Sequence, residues 1–391
     1  MKEYFYKKEY KYMYLSIFFY NFANALTESF GTVMLYKSGI AIYSILLIYG
    51  CRFLITGLIT PFFMTVSHKI GIAKCILISN IFSIINSYFM IDSKSIYSNI
   101  YIYIYIYILF VIAMGGMGLS NPSSDALSSR YVESEHRGRF NSFYFVSKIL
   151  GTALASCFVA WGIISDSKWI LFSIIIISFL LQYIAIRKID YKPEGKTNTF
   201  KTSIKYLIHS KNKYKVIYVL RTNHIIERLF VPLYLYIILQ DFVAFSTVMI
   251  VSLLFQIITI TLIGKYTDKN LEKSNSIVST IRVIITTVYL ATKNKILISF
   301  NKTLSDNFEK VYETSIQTSI QNIIKEAQED NELLSAVGQM SLCFTEVFIF
   351  ALLAIIAKFV GENVFYVIFI LSIISTIIIN IDIKSENKKI L

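Results

Sequence analysis

The chain has little of what soluble enzymes are built from. Only 16% of its 391 residues are charged, against roughly 25% in a typical soluble domain. Its four cysteines, Cys51, Cys75, Cys157 and Cys343, lie far apart inside apolar runs. They give neither a disulfide framework nor a metal-ligand spacing, and buried free thiols are the expected state. The four histidines, His68, His136, His209 and His224, form no ligand cluster. No nucleophile–base set, metal cluster or nucleotide loop is present, so no enzyme, cofactor or metal chemistry is expected. Acids are a minority, 25 against 38 Lys and Arg, for a formal net charge of +13. The basic residues are spread over many polar breaks, which argues against a nucleic-acid partner.

What is abundant is apolar: 55% of residues are hydrophobic and the mean hydropathy is +0.58. These residues fall into long runs that define twelve candidate spans, about 14–36, 42–66, 73–91, 98–124, 140–164, 168–186, 216–240, 243–264, 275–292, 296–323, 335–358 and 363–381. Most approach or exceed the ~20 residues needed to cross the hydrocarbon. Helices follow, because a lipid-exposed segment must satisfy its own backbone groups. The alternating Tyr101–Tyr107 run has strand periodicity, but its apolar segment is too long for one strand. Ile, Tyr, Lys and Asn are common throughout, as AT-rich coding favours, so the tyrosines alone carry no binding role. The expected fold is all-α and polytopic, with two pseudo-symmetric six-helix bundles.

Charge placement sets an orientation. With a cytoplasmic N-terminus, the inner side carries Lys2, Lys7, Lys8, Lys11, Lys69, Lys74, Arg130, Arg137, Arg139, a dense group between Arg187 and Lys215, and Lys384, Lys388 and Lys389. The outer side carries few, among them Lys37, Lys94, Lys168 and Lys293. The positive-inside rule therefore puts both termini in the cytoplasm of a cell (inner) membrane, with membrane lipid as a partner. The first apolar run is too long for a cleavable signal peptide and lacks a small-residue cleavage site. The polar interval from Arg187 to Lys215 holds Pro193 and Gly195. It divides the chain into an N-terminal bundle (1–187), a cytoplasmic linker (188–215) and a C-terminal bundle (216–391). A surface helix around Phe200 to Ser210 and a solvated tail from Asp382 are expected.

Two stretches half a chain apart carry one pattern. Asn24 precedes Glu28 by four residues, as Asn223 precedes Glu227. That spacing stacks amide and carboxylate on one helix face. Membrane-embedded acids are costly, so two in equivalent places argue for a duplicated bundle with its working site between the halves. The repeat extends further. Met64-Thr-Val-Ser-His68-Lys69-Ile-Gly71 follows span two, and Gly264-Lys-Tyr-Thr-Asp268-Lys269 follows span eight.

Here the chain resembles the major facilitator superfamily, whose short loop after the second helix of each half reads Gly-x-x-x-Asp-Arg/Lys-x-Gly. The first copy keeps Lys69 and Gly71 with His68 in the acid's place. The second keeps Gly264, Asp268 and Lys269. Glu135-His-Arg137-Gly138 matches the Glu-x-Arg-Gly that often opens the fifth helix, and Pro122 falls where a proline commonly ends the fourth. The resemblance implies transport by alternating access. The gating groups it implies are His68, Lys69, Gly71, Gly264, Asp268, Lys269, Arg137 and Gly138. No buried Arg precedes the span-four glycines, and Gly151–Ala155 lacks the proline of drug/proton antiporters. A gating carboxylate such as Asp268 would bias one of two states by on the order of 1 kcal/mol.

Seven basic residues fall within spans: Arg52, Lys148, Arg221, Arg228, Arg282, Lys302 and Lys310. Each needs an interior, anionic surrounding. A Glu28–Arg52 pair near the midplane is either a working pair or a structural bridge. Arg221, His224 and Arg228 share a face of span seven beside Glu227. That face could bind an anion or relay a proton, or Arg221 could snorkel to the interface. Span ten carries Lys302, Asp306, Glu309, Lys310 and Glu313 at spacings of three and four. It lines a watery cavity or is partly extramembrane. Glu346 could neutralise Arg282 or Lys310, and Lys148 could contact a substrate carboxylate or phosphate or pair with an acid. Gly115, Gly116, Gly118, Gly151 and Gly162 mark close packing or bending.

The sequence thus points to a monomeric, proton-coupled secondary transporter of symporter type, moving a small polar or charged solute. A multidrug exporter and a non-transporting receptor on the same fold are the alternatives.

Overall fold

A computed structural model describes residues 8–26, 31–37, 39–91, 108, 111–113, 116, 137–165, 168–189, 200–209, 229–269, 271–326 and 331–390. Among them there is no strand. The helices are α1 (Lys8–Ala25), α2 (Gly31–Lys37), α3 (Ile42–Ile70), α4 (Ile72–Ile91), α5 (Arg137–Ser165), α6 (Lys168–Arg187) and α7 (Phe200–His209). They continue as α8 (Leu229–Leu239), α9 (Phe242–Lys269), α10 (Leu271–Ala291), α11 (Lys295–Glu326), α12 (Asn331–Val360) and α13 (Val364–Ile390). Ile42–Phe62, Trp169–Arg187 and Ala336–Ile381 are long and apolar enough to cross a membrane.

Local chemistry sets several breaks. The Asp241 carboxylate accepts the Val243 N–H at 2.8 Å and starts α9. The Asn294 side-chain oxygen accepts Ile296 N–H at 3.0 Å and Leu297 N–H at 3.2 Å, starting α11. Gly71, at φ 86°, separates α3 from α4 by itself, in a backbone region where a side chain would be strained.

Two expectations are corrected. The first concerns the motif after each half's second long helix, expected as a loop. His68 and Lys69 lie in the last turn of α3, and Gly264, Asp268 and Lys269 in the last turns of α9. Nothing before Gly71 breaks the helix, and cations at a helix C-terminus favour its extension. The second concerns the tail: residues 382–390 continue α13 instead of leaving it. The surface helix expected near Phe200 is α7.

Polarity is inverted relative to a soluble protein. Leu47, Leu54, Leu58 and Phe62 on α3 point outward, as do Ile177, Leu180 and Ile184 on α6 and Phe348, Leu352 and Ile355 on α12. Ser79, Asn80, Ser83, Asn86 and Ser87 on α4 are buried. There the Asn80 amide donates to the Phe179 carbonyl at 3.1 Å and the Ser79 hydroxyl to that of Gly116 at 3.1 Å. Such bonds, with close backbone approach, join helices where hydrocarbon offers no hydrophobic drive.

Two long seams join the first half of the chain to the second: α3 against α12, and α5 against α9. In span order these are the second with the eleventh and the fifth with the eighth. Exchange of the halves turns one seam into the other. Other pairs repeat too, since α4 packs on α6 as α10 packs on α13. Gly50 and Gly57 face α12; a Cβ on them would lie 3.3 Å from that of Phe350 and 3.1 Å from that of Cys343.

Gly151 brings α5 onto α1. A Cβ there would stand 2.6 Å from the Phe18 carbonyl oxygen and 3.0 Å from the Phe22 nitrogen. Backbone atoms cannot step aside as a flexible side chain can. Gly151→Ala should therefore cost on the order of 1–3 kcal/mol through overpacking. The expected result is a lowered thermal midpoint of the purified protein; an unchanged midpoint would show that α1 and α5 separate freely.

Candidate functional site

The most polar part of the interior lies where α9 meets α11. On α11, Lys302, Asp306, Glu309 and Glu313 are all buried and share one face by their helical spacing. Asp306 lies about 16 Å along α11 from Lys295 at 1.5 Å per residue, near the middle of a ~30 Å hydrocarbon layer. The Lys302 ammonium donates to one Asp306 oxygen. The Ser252 hydroxyl on α9 donates to the other, and the Gln256 amide donates to Ser252 Oγ at 3.3 Å. One turn further, the Thr259 hydroxyl donates to Asn307 Oδ1 at 2.7 Å. Across α10, the Arg282 guanidinium sits 4.8 Å from the Tyr312 ring centre, a contact strengthened by the loss of water.

A second charged locus lies at the α3–α12 seam. Glu346 is 0% exposed and stands one turn beyond Cys343 on α12. On α3, Arg52 lies 5.9 Å from the Tyr49 ring and 5.6 Å from that of Phe53. Toward the end of the bundle that carries Glu362, Phe350 packs on Tyr49, Phe53 and Phe230 with centroids 5.6–6.3 Å apart. This aromatic cluster joins α3, α8 and α12. At that same end the Thr32 hydroxyl donates to the Leu229 carbonyl at 3.3 Å and the Tyr36 hydroxyl to Glu362 Oε1 at 2.9 Å. At the amino-terminal end, Tyr10, Met13, Ile72, Ile76, Phe140, Ile186 and Ile189 form a cluster drawn from the first half alone.

The structure thus brings Asp306 and Glu309 together on one face and places Glu346 at the α3–α12 seam. Asn24 is buried on α1, and Lys148 is half-buried on α5 with its ammonium 5.9 Å from the Phe145 ring. Lys69 is exposed. Arg137 and Gly138 open α5. Glu28, Asn223, His224 and Glu227 lie outside the described residues, as do Arg221 and Arg228. Ser252 and Gln256 were missed by sequence reasoning. Their signal was present: Ser252, Gln256 and Thr259 are a polar stripe at spacings of four and three inside an apolar run.

An apolar exterior around a buried ion pair and buried amides defines a polytopic membrane protein built to hold polar groups at mid-depth. Residues 12–301 match the sequence model of the Major Facilitator Superfamily. The chain belongs to this family of membrane transporters. Solved structures share its fold. A bacterial homologue of the iron transporter ferroportin, outward-facing, is 11% identical with TM-score 0.68, over 97% of this chain and 99% of that one. FucP in the outward conformation is 12% identical with TM-score 0.69, over 95% and 97%. The human organic anion transporter MFSD10 is 9% identical with TM-score 0.64, over 95% and 98%. No curated protein sequence matches the chain.

The Lys302–Asp306 pair yields a stability test. Removing one partner leaves a buried charge, a loss of about 3–5 kcal/mol, while replacing both by apolar groups is close to neutral. Lys302→Met and Asp306→Leu should each lower the thermal midpoint, and the double variant should recover most of it. Additive losses in the double variant would show that the two side chains do not depend on each other.

Proposed function

We propose that this transporter carries a small polar or charged solute by alternating access, coupled to protons, with the polar face of α11 lining its path. The observation that carries this reading is the stripe of Lys302, Asp306, Glu309 and Glu313, buried at mid-depth beside Ser252 and Gln256. Groups so costly to bury are kept where a polar cargo or a proton must be met. Asp306 is held by two donors, so a proton or a cationic group arriving there competes with Lys302. That competition links site occupancy to a change of state, and the link is as large as the ligand's differential affinity for the two states.

In this reading the chain works as a monomer of two six-helix halves, 1–187 and 216–391, joined by a cytoplasmic linker at 188–215. Both termini face the cytoplasm of a cell membrane, and the Glu362 end faces outward. Glu28, paired with Arg52, and Glu227, beside His224, serve as proton or solute sites facing the same chamber. Solved structures of similar fold include a fucose:proton symporter, an organic anion transporter and a homologue of an iron transporter. Their cargoes share polarity and no common chemistry, which supports a polar solute without choosing one.

Reconstituted protein should take up its solute faster when a proton gradient is imposed. Glu28→Gln and Glu227→Gln should each abolish that pH dependence while expression stays normal. Unchanged pH-dependent flux in both variants would remove these carboxylates from the mechanism. Absence of any solute flux in proteoliposomes would favour a receptor on the same fold.

A further inference from the structure

A cavity of about 470 Å³ opens at the Glu362 end, away from the buried stripe. It lies within the 300–1,000 Å³ range of small-molecule sites. Four separate segments build its wall: Tyr36 closing α2, Tyr236 on α8, Lys293 between α10 and α11, and Glu362 with Tyr366 at the α12–α13 turn. Gln240 and Asn363 also line it, with Tyr234, Ile237, Ile238 and Phe365. Gln240 holds φ 56°, uncommon for a residue with a side chain, as α8 ends and the chain turns into α9.

Two opposite charges share this wall without pairing. Lys293 leans over the Tyr366 ring, 5.9 Å from its centre. Glu362 takes the Tyr36 hydroxyl on Oε1, which leaves Oε2 open to a second donor. A cation and an anion on one aromatic-lined wall suit a ligand that is neutral overall and carries both charges. Its carboxylate would meet Lys293. Its ammonium would meet Glu362 and the electron-rich ring faces around it. A simple anion or a simple cation would satisfy one charge and be repelled by the other.

We propose that this cavity is a capture site for a small zwitterion with one carboxylate and one ammonium, of amino-acid type. It is separate from the α9–α11 stripe and, resting on the transport reading above, collects solute on the outer face. Inward of it, the aromatic cluster of Tyr49, Phe53, Phe230 and Phe350 joins the halves. A ligand held above that cluster waits at the entrance until the halves part. The Tyr36–Glu362 bond, which ties α2 to the α12–α13 turn, fixes one wall of the site.

Calorimetric titration of nanodisc-held protein with L-glutamine and L-leucine tests the assignment, with acetate and ethylammonium as half-ligands. At least one amino acid should bind, and each half-ligand should bind at least tenfold more weakly. Lys293→Gln and Glu362→Gln should each weaken amino-acid binding at least tenfold with an unchanged thermal midpoint. Lys201→Gln, an exposed charge on α7 that belongs to neither site, should retain the binding. No amino-acid binding, or an affinity unchanged from the parent protein in both wall variants, overturns the site. Binding lost in Glu28→Gln and kept in the wall variants also overturns it, and leaves the transport reading standing. Retained binding with no flux in any assay supports the site and removes the transport reading instead.

Discussion

An ion inside hydrocarbon must find a partner, and the interior of this bundle is arranged around that demand. A lone charge at mid-depth costs several kcal/mol even after local relaxation. Lys302 and Asp306 meet the demand within one helix turn, and Ser252 reaches over from α9 to occupy the second carboxylate oxygen. The neighbouring helices inherit their positions from these bonds. α9 must turn its polar stripe toward α11, and its apolar sides, Leu254, Phe255 and Ile258, are left facing out. An apolar exterior and a charged interior are two results of one constraint.

The described parts of the two halves meet this constraint with different groups. In the first, Gly151 brings α5 onto α1 and the Ser79–Ser87 stripe of α4 offers neutral hydrogen-bonding groups, beside the cations Arg52 and Lys148. In the second, charged groups gather on α10 and α11. The exchange that relates the two seams keeps the helix order while the side chains along it differ.

Much of the fold was legible because length and hydropathy act over whole helices. The described helices follow the expected spans from α3 to α13 within a few residues at most ends. The loop motifs misled because their residue types suit a helix end as well as a turn, and in the first copy it is Gly71 that breaks the path. The α11 face was legible because its charges recur at helical spacing. Ser252 and Gln256 were passed over because an uncharged pair in a long apolar run draws little notice, although its spacing matches a stripe. The cavity near Glu362 had no signal of its own. Tyr36, Tyr236, Lys293 and Glu362 stand far apart in the chain, and only folding makes them neighbours.

The seam between α3 and α12 carries one further consequence. At Gly50 and Gly57 α3 presents bare main chain to its partner, so the two helices pack closely over two turns. The side chains between them there are stacked rings, Phe350 on Tyr49 and Phe53, whose flat faces can slide on one another. A rotation of the halves would roll there like a shaft in a sleeve, leaving the larger displacements to the ends of the bundle.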